Sequence, residues 1–264
     1  MFSYELELAC NAPHRIIFLD GSFTSQLIAF GQAISATEKE EAPIELKNYY
    51  LERLEKTFNN YIETLKSSRT DKLHVAVPKY SSRKEVIERL KEEGIEYSIL
   101  NQMNDKSFLS LVLKAGEVVG PIKLTRKKDR WHLSGKEILK NIYKNMFNKY
   151  NNLIEKIIYY LNRLHVLYFK PSSSHPALRV EISEDIARNR TKLSWLLEGL
   201  RYQTSPGTLE PYPLYIADTY AKHLKEAIVG LKDITLSEIG INRNFNFSDI
   251  LLTLHAYRTE GGYE

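Results

Sequence analysis

The sequence predicts an α/β protein built on a mixed sheet, because two kinds of pattern alternate along the chain. Short apolar runs that end in turn-forming residues are typical of buried strands, as at Ile16–Leu19 before Asp20-Gly21 and at Leu73–Val77 before Pro78. Between them, residues 44–66 carry apolar side chains three and four positions apart, which is the spacing of an amphipathic helix. Strands that alternate with helices favour a sheet covered by helices.

The first half of the chain supplies most of the predicted sheet. Residues 25–37 are strand-like, and we expect them to pair with the first strand as a hairpin. Beyond the helix at 44–66 and the strand at 73–77, the pattern predicts a helix over 82–93, a strand over 95–100, a helix over 104–114 and a strand over 117–124.

The second half of the chain is mainly helical in its patterning. A long helix rich in Asn and Lys is predicted from Gly135 to about Leu164, followed by a loop over 170–176. A strand is expected over 179–182, with helices over about 184–202 and 213–229. Pro213 stands at the start of the last helix, where proline is tolerated.

Composition indicates a folded, cytoplasmic protein. The chain has 264 residues, of which 43% are hydrophobic and 27% charged, enough for a sizeable core. Its first residues lack the pattern of a signal peptide, and no run of about 18 apolar residues occurs. Cys10 is the only cysteine, which excludes an internal disulfide and a multi-cysteine zinc site. Abundant Lys, Glu, Ile and Tyr are typical of a thermophilic source.

Asp20 is the first candidate metal ligand. It follows a buried apolar run, where an ionised carboxylate is costly unless a cation meets it. A divalent metal ion is one such cation. Asp-Gly is also a common turn sequence, so an ordinary turn is the alternative.

Two further acids stand in helical segments. Asp218 shares a helix face with Leu214 and Ala221, so it is either a functional carboxylate or a hydrogen-bonded core residue. Asp105 falls in the first turn of a predicted helix, where an acid also serves as a cap.

A basic segment between residues 123 and 130 is a candidate DNA-binding loop. It contains five cations and one acid, and Trp131 and His132 follow directly. Such a loop could neutralise phosphates while its aromatic residue stacks on a base, whereas the alternative is a solvated connector. The candidate cations are Lys123, Arg126, Lys127, Lys128 and Arg130.

Four segments in order resemble the NurA family of archaeal DNA end-processing nucleases. They are the strand ending in Asp20-Gly-Ser22, the stretch 103–113 around Asp105, the strand 179–181 and, most specifically, the stretch 210–221 with its Pro-Tyr-Pro-Leu and Ala-Asp218 residues. The resemblance implies an RNase H-like core, with residues 1–134 and 171–264 forming its two parts and 135–170 a helical insertion. It further implies a homodimer around a DNA channel, hydrolysis of DNA ends with Mn²⁺ or Mg²⁺, and a HerA-type hexameric ATPase as partner.

The resemblance also assigns site residues. Asp20 matches the first metal-binding acid of the family, Asp218 matches the C-terminal motif near the metal, and Asp105 matches a recurrent acid. The family uses a helical Glu, for which Glu55 is the best candidate because it is predicted on the line of Leu51, Phe58 and Ile62. The expected catalytic residues are Asp20, Asp105 and Asp218, and the expected metal ligands are Asp20, Glu55 and Asp218.

The sequence departs from the family pattern at one strand. Family members usually carry a second Asp-Gly-Ser-like strand end, whereas here the corresponding strand is Leu73–Val77, followed by Pro78-Lys79 without an acid. In-line hydrolysis at two metals would be weakened by the loss of one carboxylate. This departure and the short chain favour an alternative function, a catalytically weak module that binds DNA, single-strand-binding protein or a translocase. An unrelated α/β protein is disfavoured by the ordered matches.

Overall fold

The structure is a computed structural model, and it describes most of the chain. The described residues are 2–25, 27–28, 44–66, 72–79, 81, 83–95, 97–124, 147–205, 208 and 210–243. They belong to two compact units, Met1–Leu214 and Tyr215–Glu264, which are described separately. The first unit contains the sheet and all but one of the helices named below.

The described elements alternate between helix and strand as the sequence pattern requires. The helices are α1 (Phe2–Asn11), α2 (Ile44–Lys66), α3 (Glu85–Glu92), α4 (Asp105–Val112), α5 (Phe147–Leu161), α6 (Glu184–Arg188), α7 (Arg190–Gln203) and α8 (Tyr212–Arg243), with a 3₁₀ turn at Ser98–Gln102. The strands are β1 (Ile16–Asp20), β2 (Leu73–Val77), β3 (Val118–Lys123), β4 (His165–Phe169) and β5 (Leu178–Ile182).

The strands form a five-stranded mixed sheet in the order β1-β2-β5-β4-β3. Strands β1 and β2 run parallel, and the remaining pairs are antiparallel. This confirms the predicted α/β class with a mixed sheet. The RNase H-like arrangement implied by the resemblance, and the predicted division at 134 and 170, stay predictions.

One part of the sheet packs against α1, α2 and α5. Helix α2 turns Leu54, Phe58, Tyr61 and Leu65 inward, all nearly inaccessible to solvent, because their spacing of three and four places them on one face. They pack in one cluster with Leu19 of β1 and with residues of α1 and α5. Helix α2 therefore supports the strand that carries Asp20.

Two other clusters complete the core of the first unit. Residues of β2, β4 and β5 pack against α7 through Leu196 and Leu200. A smaller cluster joins Val166 and Tyr168 of β4 to Val86 of α3 and Leu109 of α4. Both sides of the sheet are thereby covered, which explains why β2 and β5 are buried along their full length.

The structure contradicts two of the predicted strands and contains two elements that were not predicted. Residues 23–25 and 27–28 are helical, so the predicted hairpin strand at 25–37 is wrong in its described part, and 29–37 lie outside the described residues. The strand expected over 95–100 is wrong, because the structure has a 3₁₀ turn at Ser98–Gln102 in which Leu100 is buried and Ile99 is exposed. Strand β4 and helix α1 are elements that the sequence patterns did not single out.

The second unit contributes one described feature, the part of α8 from Tyr215 to Arg243. This helix continues well past the predicted end at residue 229. Across the described part of the chain, no helix combines the length and apolar character needed to cross a membrane.

Tyr61 links α2 to the segment that follows Asp20, and its hydroxyl gives a test of the fold. The buried Tyr61 hydroxyl donates a 2.6 Å hydrogen bond to the carbonyl of Phe23. Tyr61→Phe should lower the free energy of unfolding by about 1–3 kcal/mol, because it removes a donor from a buried carbonyl. Urea denaturation measures the loss. The same change at Tyr202, which is 87% exposed, should cost less than about 0.5 kcal/mol, and equal costs would contradict the packing described.

Candidate functional site

Asp20 lies at the edge of the sheet where the two parallel strands end. It is the last residue of β1 and stands in register with Val77, the last residue of β2. Its side chain is 53% exposed, so its carboxylate can reach solvent. Gly21 follows with a φ of 80°, a left-handed conformation that glycine adopts without steric cost, and the chain turns there.

Lys79 follows β2 at the same edge and lies close to two carboxylates. Its Nζ is 3.8 Å from Oδ2 of Asp20 and 3.2 Å from Oε2 of Glu210, whose side chain is only 10% exposed. The backbone carbonyl of Lys79 accepts a 2.6 Å hydrogen bond from Nζ of Lys106. Burial lowers the pKa of Lys106, while the charge of Glu210 opposes that shift. The Lys106 amine therefore also lies within the electrostatic influence of the Glu210 carboxylate.

Glu5 of α1 is a third carboxylate in this neighbourhood. Its pKa is raised, mainly by burial and next by the negative charge of Asp20. A neighbouring negative charge raises the pKa of a carboxyl group, so the effect on Glu5 places it in the electrostatic environment of Asp20. We call Glu5, Asp20, Lys79 and Glu210 the Asp20 cluster.

Glu181 of β5 anchors the turn that follows Asp20. Its Oε2 accepts hydrogen bonds from the Ser22 hydroxyl at 2.9 Å and from the Phe23 backbone N–H at 3.2 Å. Its Oε1 accepts a 3.1 Å hydrogen bond from Arg179. Because the carboxylate is almost completely buried and bonded on both oxygens, we interpret Glu181 as a positioning residue for the Asp20-Gly21-Ser22 turn.

Arg179 is the cationic centre of this buried network. It donates two hydrogen bonds to Glu85, at 2.8 and 3.1 Å, and one to the Tyr168 hydroxyl at 2.6 Å. Burial acts to lower the pKa of Arg179, but Glu181, Tyr168 and Glu85 together outweigh it and the pKa is raised. Burial acts to raise the pKa of Glu85, yet the hydrogen bond and the charge of Arg179, with further hydrogen bonds, hold it below its usual range. The network is therefore charged and internally paired.

Asp105, one of the predicted catalytic residues, is completely buried. Its carboxylate accepts hydrogen bonds from the backbone N–H groups of Val86 at 2.8 Å and Ile87 at 3.0 Å, and from the Tyr168 hydroxyl at 3.0 Å. These contacts satisfy the first turn of the preceding helix, α3, whereas Asn104 caps the helix that contains Asp105. The contacts of Asp105 are those of a helix cap, as the local alternative expected, although the helix it caps is a different one.

Glu55 and Asp218, the other two predicted ligands, have different surroundings. Glu55 lies at an exposed position of α2, three residues before the buried Phe58. In the second unit, Asp218 accepts a 2.8 Å hydrogen bond from Lys222, one helical turn later. Neither role is tested by these contacts, and both stay predictions.

The described residues include no ready-made set of metal-binding side chains. Within 2–25, 27–28, 44–66 and the later described ranges, no three His, Cys, Asp or Glu side chains are arranged to hold a metal ion. The carboxylates of the Asp20 cluster supply the oxygen ligands that Mg²⁺ and Mn²⁺ prefer, but an ammonium group lies between two of them.

The predicted DNA-binding segment is only partly described. Lys123 is exposed at the end of β3. The remaining predicted cations, Arg126, Lys127, Lys128 and Arg130, lie outside the described residues.

A polar cavity of about 550 Å³ adjoins the turn after Asp20. Its wall includes the hydroxyl groups of Ser22, Thr24 and Ser81, together with the charged side chains of Arg83 and Glu88. The buried Arg179 and Glu181 also line it. The cavity therefore offers hydroxyl groups and both positively and negatively charged side chains beside the predicted site.

Sequence reasoning missed three members of this region, namely Glu5, Lys79 as a partner of Asp20, and Glu210. The sequence could have predicted the Arg179-Glu181 pair. Opposite charges two residues apart in an apolar strand lie on the same face of the sheet and can neutralise each other. No local pattern joins Glu5 or Glu210 to Asp20, since both come from distant parts of the chain.

The raised pKa of Asp105 provides a test of its capping role. Burial raises the pKa of Asp105 to about 6 from an ordinary value of 3.8, although the hydrogen bonds from the Val86 and Ile87 backbone oppose the shift. The folded protein thus holds this proton more tightly than the unfolded chain, and the stability contributed by the site falls as pH rises from about 3.8 to about 6. The stability cost of Asp105→Asn should therefore shrink between pH 4.5 and pH 7 in denaturation experiments.

A buried residue that does not titrate is the matched control for this measurement. Leu109 lies on the same helix, and the cost of Leu109→Ala should be independent of pH over that range. A cost of Asp105→Asn that stays constant or grows with pH would contradict the described environment.

Comparison with known proteins identifies the family. The model of the NurA domain matches residues 1–223, which is most of the chain and includes the sheet, the Asp20 cluster and Asp218. No curated protein matches the chain, and no solved structure matches it. The family model covers the resembling segments in one continuous match, and the chain belongs to the NurA family.

Proposed function

We propose that this protein is a metal-dependent DNA nuclease of NurA type, which hydrolyses phosphodiester bonds at DNA ends during end resection and recombinational repair. Membership of the NurA family suggests a nuclease-like role in DNA end processing. The observation that carries the proposal is the position of Asp20, a half-exposed carboxylate at the common end of two parallel strands, with Glu5 and Glu210 in its cluster. Ligand sites at the carboxyl ends of parallel strands are a general property of α/β sheets.

The donor atoms of this cluster suit the ion that the family implies. Carboxylate oxygens are the preferred ligands of Mg²⁺ and Mn²⁺, so Asp20 would hold the ion, while Glu55 and Asp218 stay the further ligands that the family resemblance implies. When bound, such an ion would polarise the scissile phosphate and favour attack by water. The turn anchored by Glu181 would keep the Asp20 carboxylate in place through the hydrogen bonds to Ser22 and Phe23.

The proposed substrate is a DNA strand held by electrostatic contacts and hydrogen bonds. The basic segment 123–130 supplies five cations that can neutralise phosphates. The polar cavity beside Ser22 offers hydroxyl groups close to the same turn. A homodimer, a HerA-type ATPase and single-strand-binding protein are the proposed partners, on the basis of the family resemblance.

One observation favours a second candidate function, a NurA-like module that binds DNA or a partner protein with weak catalysis. Strand β2 is followed by Lys79 in the region where the family usually carries a second acid, and its Nζ lies 3.8 Å from the Asp20 carboxylate. Asp105 is engaged with the backbone of α3, which leaves it few free acceptor positions for an ion. Both observations reduce the number of carboxylates free to bind metal.

Cleavage of an end-labelled DNA in the presence of Mn²⁺ separates the two functions. Asp20→Asn should reduce cleavage at least about 100-fold, because even residues that only support a metal ligand are worth about 10- to 100-fold. Asp185→Asn is the matched control, since Asp185 is 51% exposed against 53% for Asp20 and pairs with Lys192 outside the cluster.

Three results are decisive for this experiment. Loss of cleavage in Asp20→Asn with normal cleavage in Asp185→Asn supports the nuclease. Full activity in Asp20→Asn refutes the proposed site. Absence of cleavage by the unaltered protein with either ion, combined with DNA binding that weakens steeply with salt, supports the binding module.

The basic segment is tested by reversing two of its charges. Lys127→Glu with Lys128→Glu should weaken DNA binding and reduce its salt dependence, because fewer phosphates are neutralised and fewer counterions released. Fluorescence anisotropy with a labelled oligonucleotide at about 50 and 200 mM salt measures both effects. The same reversal at the exposed Lys56 and Lys114 is the control for net charge. Equal affinities for the two double variants would count against the segment.

A further inference from the structure

Lys79 lies where a cation is needed, between a half-exposed and a largely buried carboxylate. Its Nζ is 3.8 Å from Oδ2 of Asp20 and 3.2 Å from Oε2 of Glu210. The side chain of Lys79 is 26% exposed, that of Asp20 53% and that of Glu210 10%. The lysine thus bridges the carboxylate that reaches solvent and the one that does not.

The backbone at the end of β2 holds in place the residue that carries this ammonium group. Strand β2 is buried along its length, and Pro78 after it is buried too, so the chain enters Lys79 from a fixed direction. The Lys79 carbonyl is held by the 2.6 Å hydrogen bond from Lys106. A lysine ammonium is a compact point charge on a flexible stem, and here the backbone from which that stem extends is held in place.

Glu210 explains why a cation is required. A carboxylate with only a tenth of its side chain exposed has lost most of its hydration, which is costly unless a positive charge lies nearby. Its Oε2 makes no hydrogen bond with another described group, so the ion pair with Lys79 is its described compensation. Glu5 is a further carboxyl group near Asp20, since burial and then the charge of Asp20 raise its pKa.

We propose that the Lys79 ammonium is a built-in counter-ion of the Asp20 cluster and that a divalent cation binds Asp20 only by displacing it. The positive charge of Lys79 lies within ion-pair distance of Asp20 Oδ2, where a second cation would meet direct repulsion. Lys79 therefore lowers the affinity of the site for metal while it stabilises the empty cluster. This inference rests on the proposed function in taking Mn²⁺ as the competing ion.

Isothermal titration with MnCl₂ tests the competition on the full chain, without DNA. Lys79→Met removes the charge and keeps a side chain of similar length, and it should bind Mn²⁺ at least about tenfold more tightly than the unaltered protein. Lys79→Arg retains the charge and should bind as the unaltered protein does. Adding Asp20→Asn to Lys79→Met should abolish the gain.

Lys192→Met is the matched control for loss of a lysine. Lys192 is 11% exposed and pairs with Asp185 rather than with the Asp20 cluster, so its removal should leave Mn²⁺ affinity unchanged. If circular dichroism shows that Lys79→Met is unfolded, Lys79→Gln provides the same measurement with a polar side chain. A rise in thermal stability on adding Mn²⁺, larger for the neutral variant than for the unaltered protein, is the second readout.

The outcomes separate this inference from the proposed nuclease. Equal Mn²⁺ affinity in the neutral variant and the unaltered protein overturns the inference, even where the unaltered protein cleaves DNA. A gain of the same size in Lys79→Arg also overturns it, because the charge would then be irrelevant. Tighter Mn²⁺ binding in Lys79→Met without DNA cleavage by any variant supports the inference and counts against the nuclease.

Discussion

The buried Glu181 carboxylate is the constraint on which the geometry of the site depends. It holds the Ser22 hydroxyl and the Phe23 N–H through one oxygen and Arg179 through the other, so the turn after Asp20 is fastened to the centre of the sheet. A buried charge of this kind is tolerated because each of its oxygens is bonded and its cationic partner lies beside it. Removing Arg179 would leave the Glu181 carboxylate in the core without its cationic partner.

The same network extends to α3 and α4 and includes Asp105, which the family resemblance had connected with catalysis. Arg179 pairs with Glu85 at the start of α3, and the Tyr168 hydroxyl oxygen lies 3.0 Å from a carboxylate oxygen of each of Glu85 and Asp105. Asp105 in turn satisfies the backbone N–H groups of that helix. A residue type typical of metal sites is thus used here to join two helices to the sheet, which is why motif membership alone did not define its role.

The larger elements could be predicted from the sequence because their patterns are local. The spacing of Leu54, Phe58 and Leu65 indicated α2, and the apolar runs before Asp20 and Pro78 indicated β1 and β2. Residues 25–37 were predicted as a strand from their apolar character, whereas residues 23–25 and 27–28 are helical and Phe23 is held by Tyr61 and Glu181. Tertiary contacts of this kind override local propensity and have no signature in the segment itself.

Of the residues in the Asp20 cluster, the sequence predicted Asp20 alone. Asp20 followed from a buried strand ending in an acid, but Lys79 and Glu210 join it through the parallel pairing of β1 and β2 and through a distant loop. The most direct test of the account is a crystal soaked in MnCl₂ and measured for the anomalous signal of manganese. The account predicts an ion at the Asp20 carboxylate with the Lys79 ammonium moved away from it. Manganese bound elsewhere, or bound at Asp20 with Lys79 still beside that carboxylate, would contradict it.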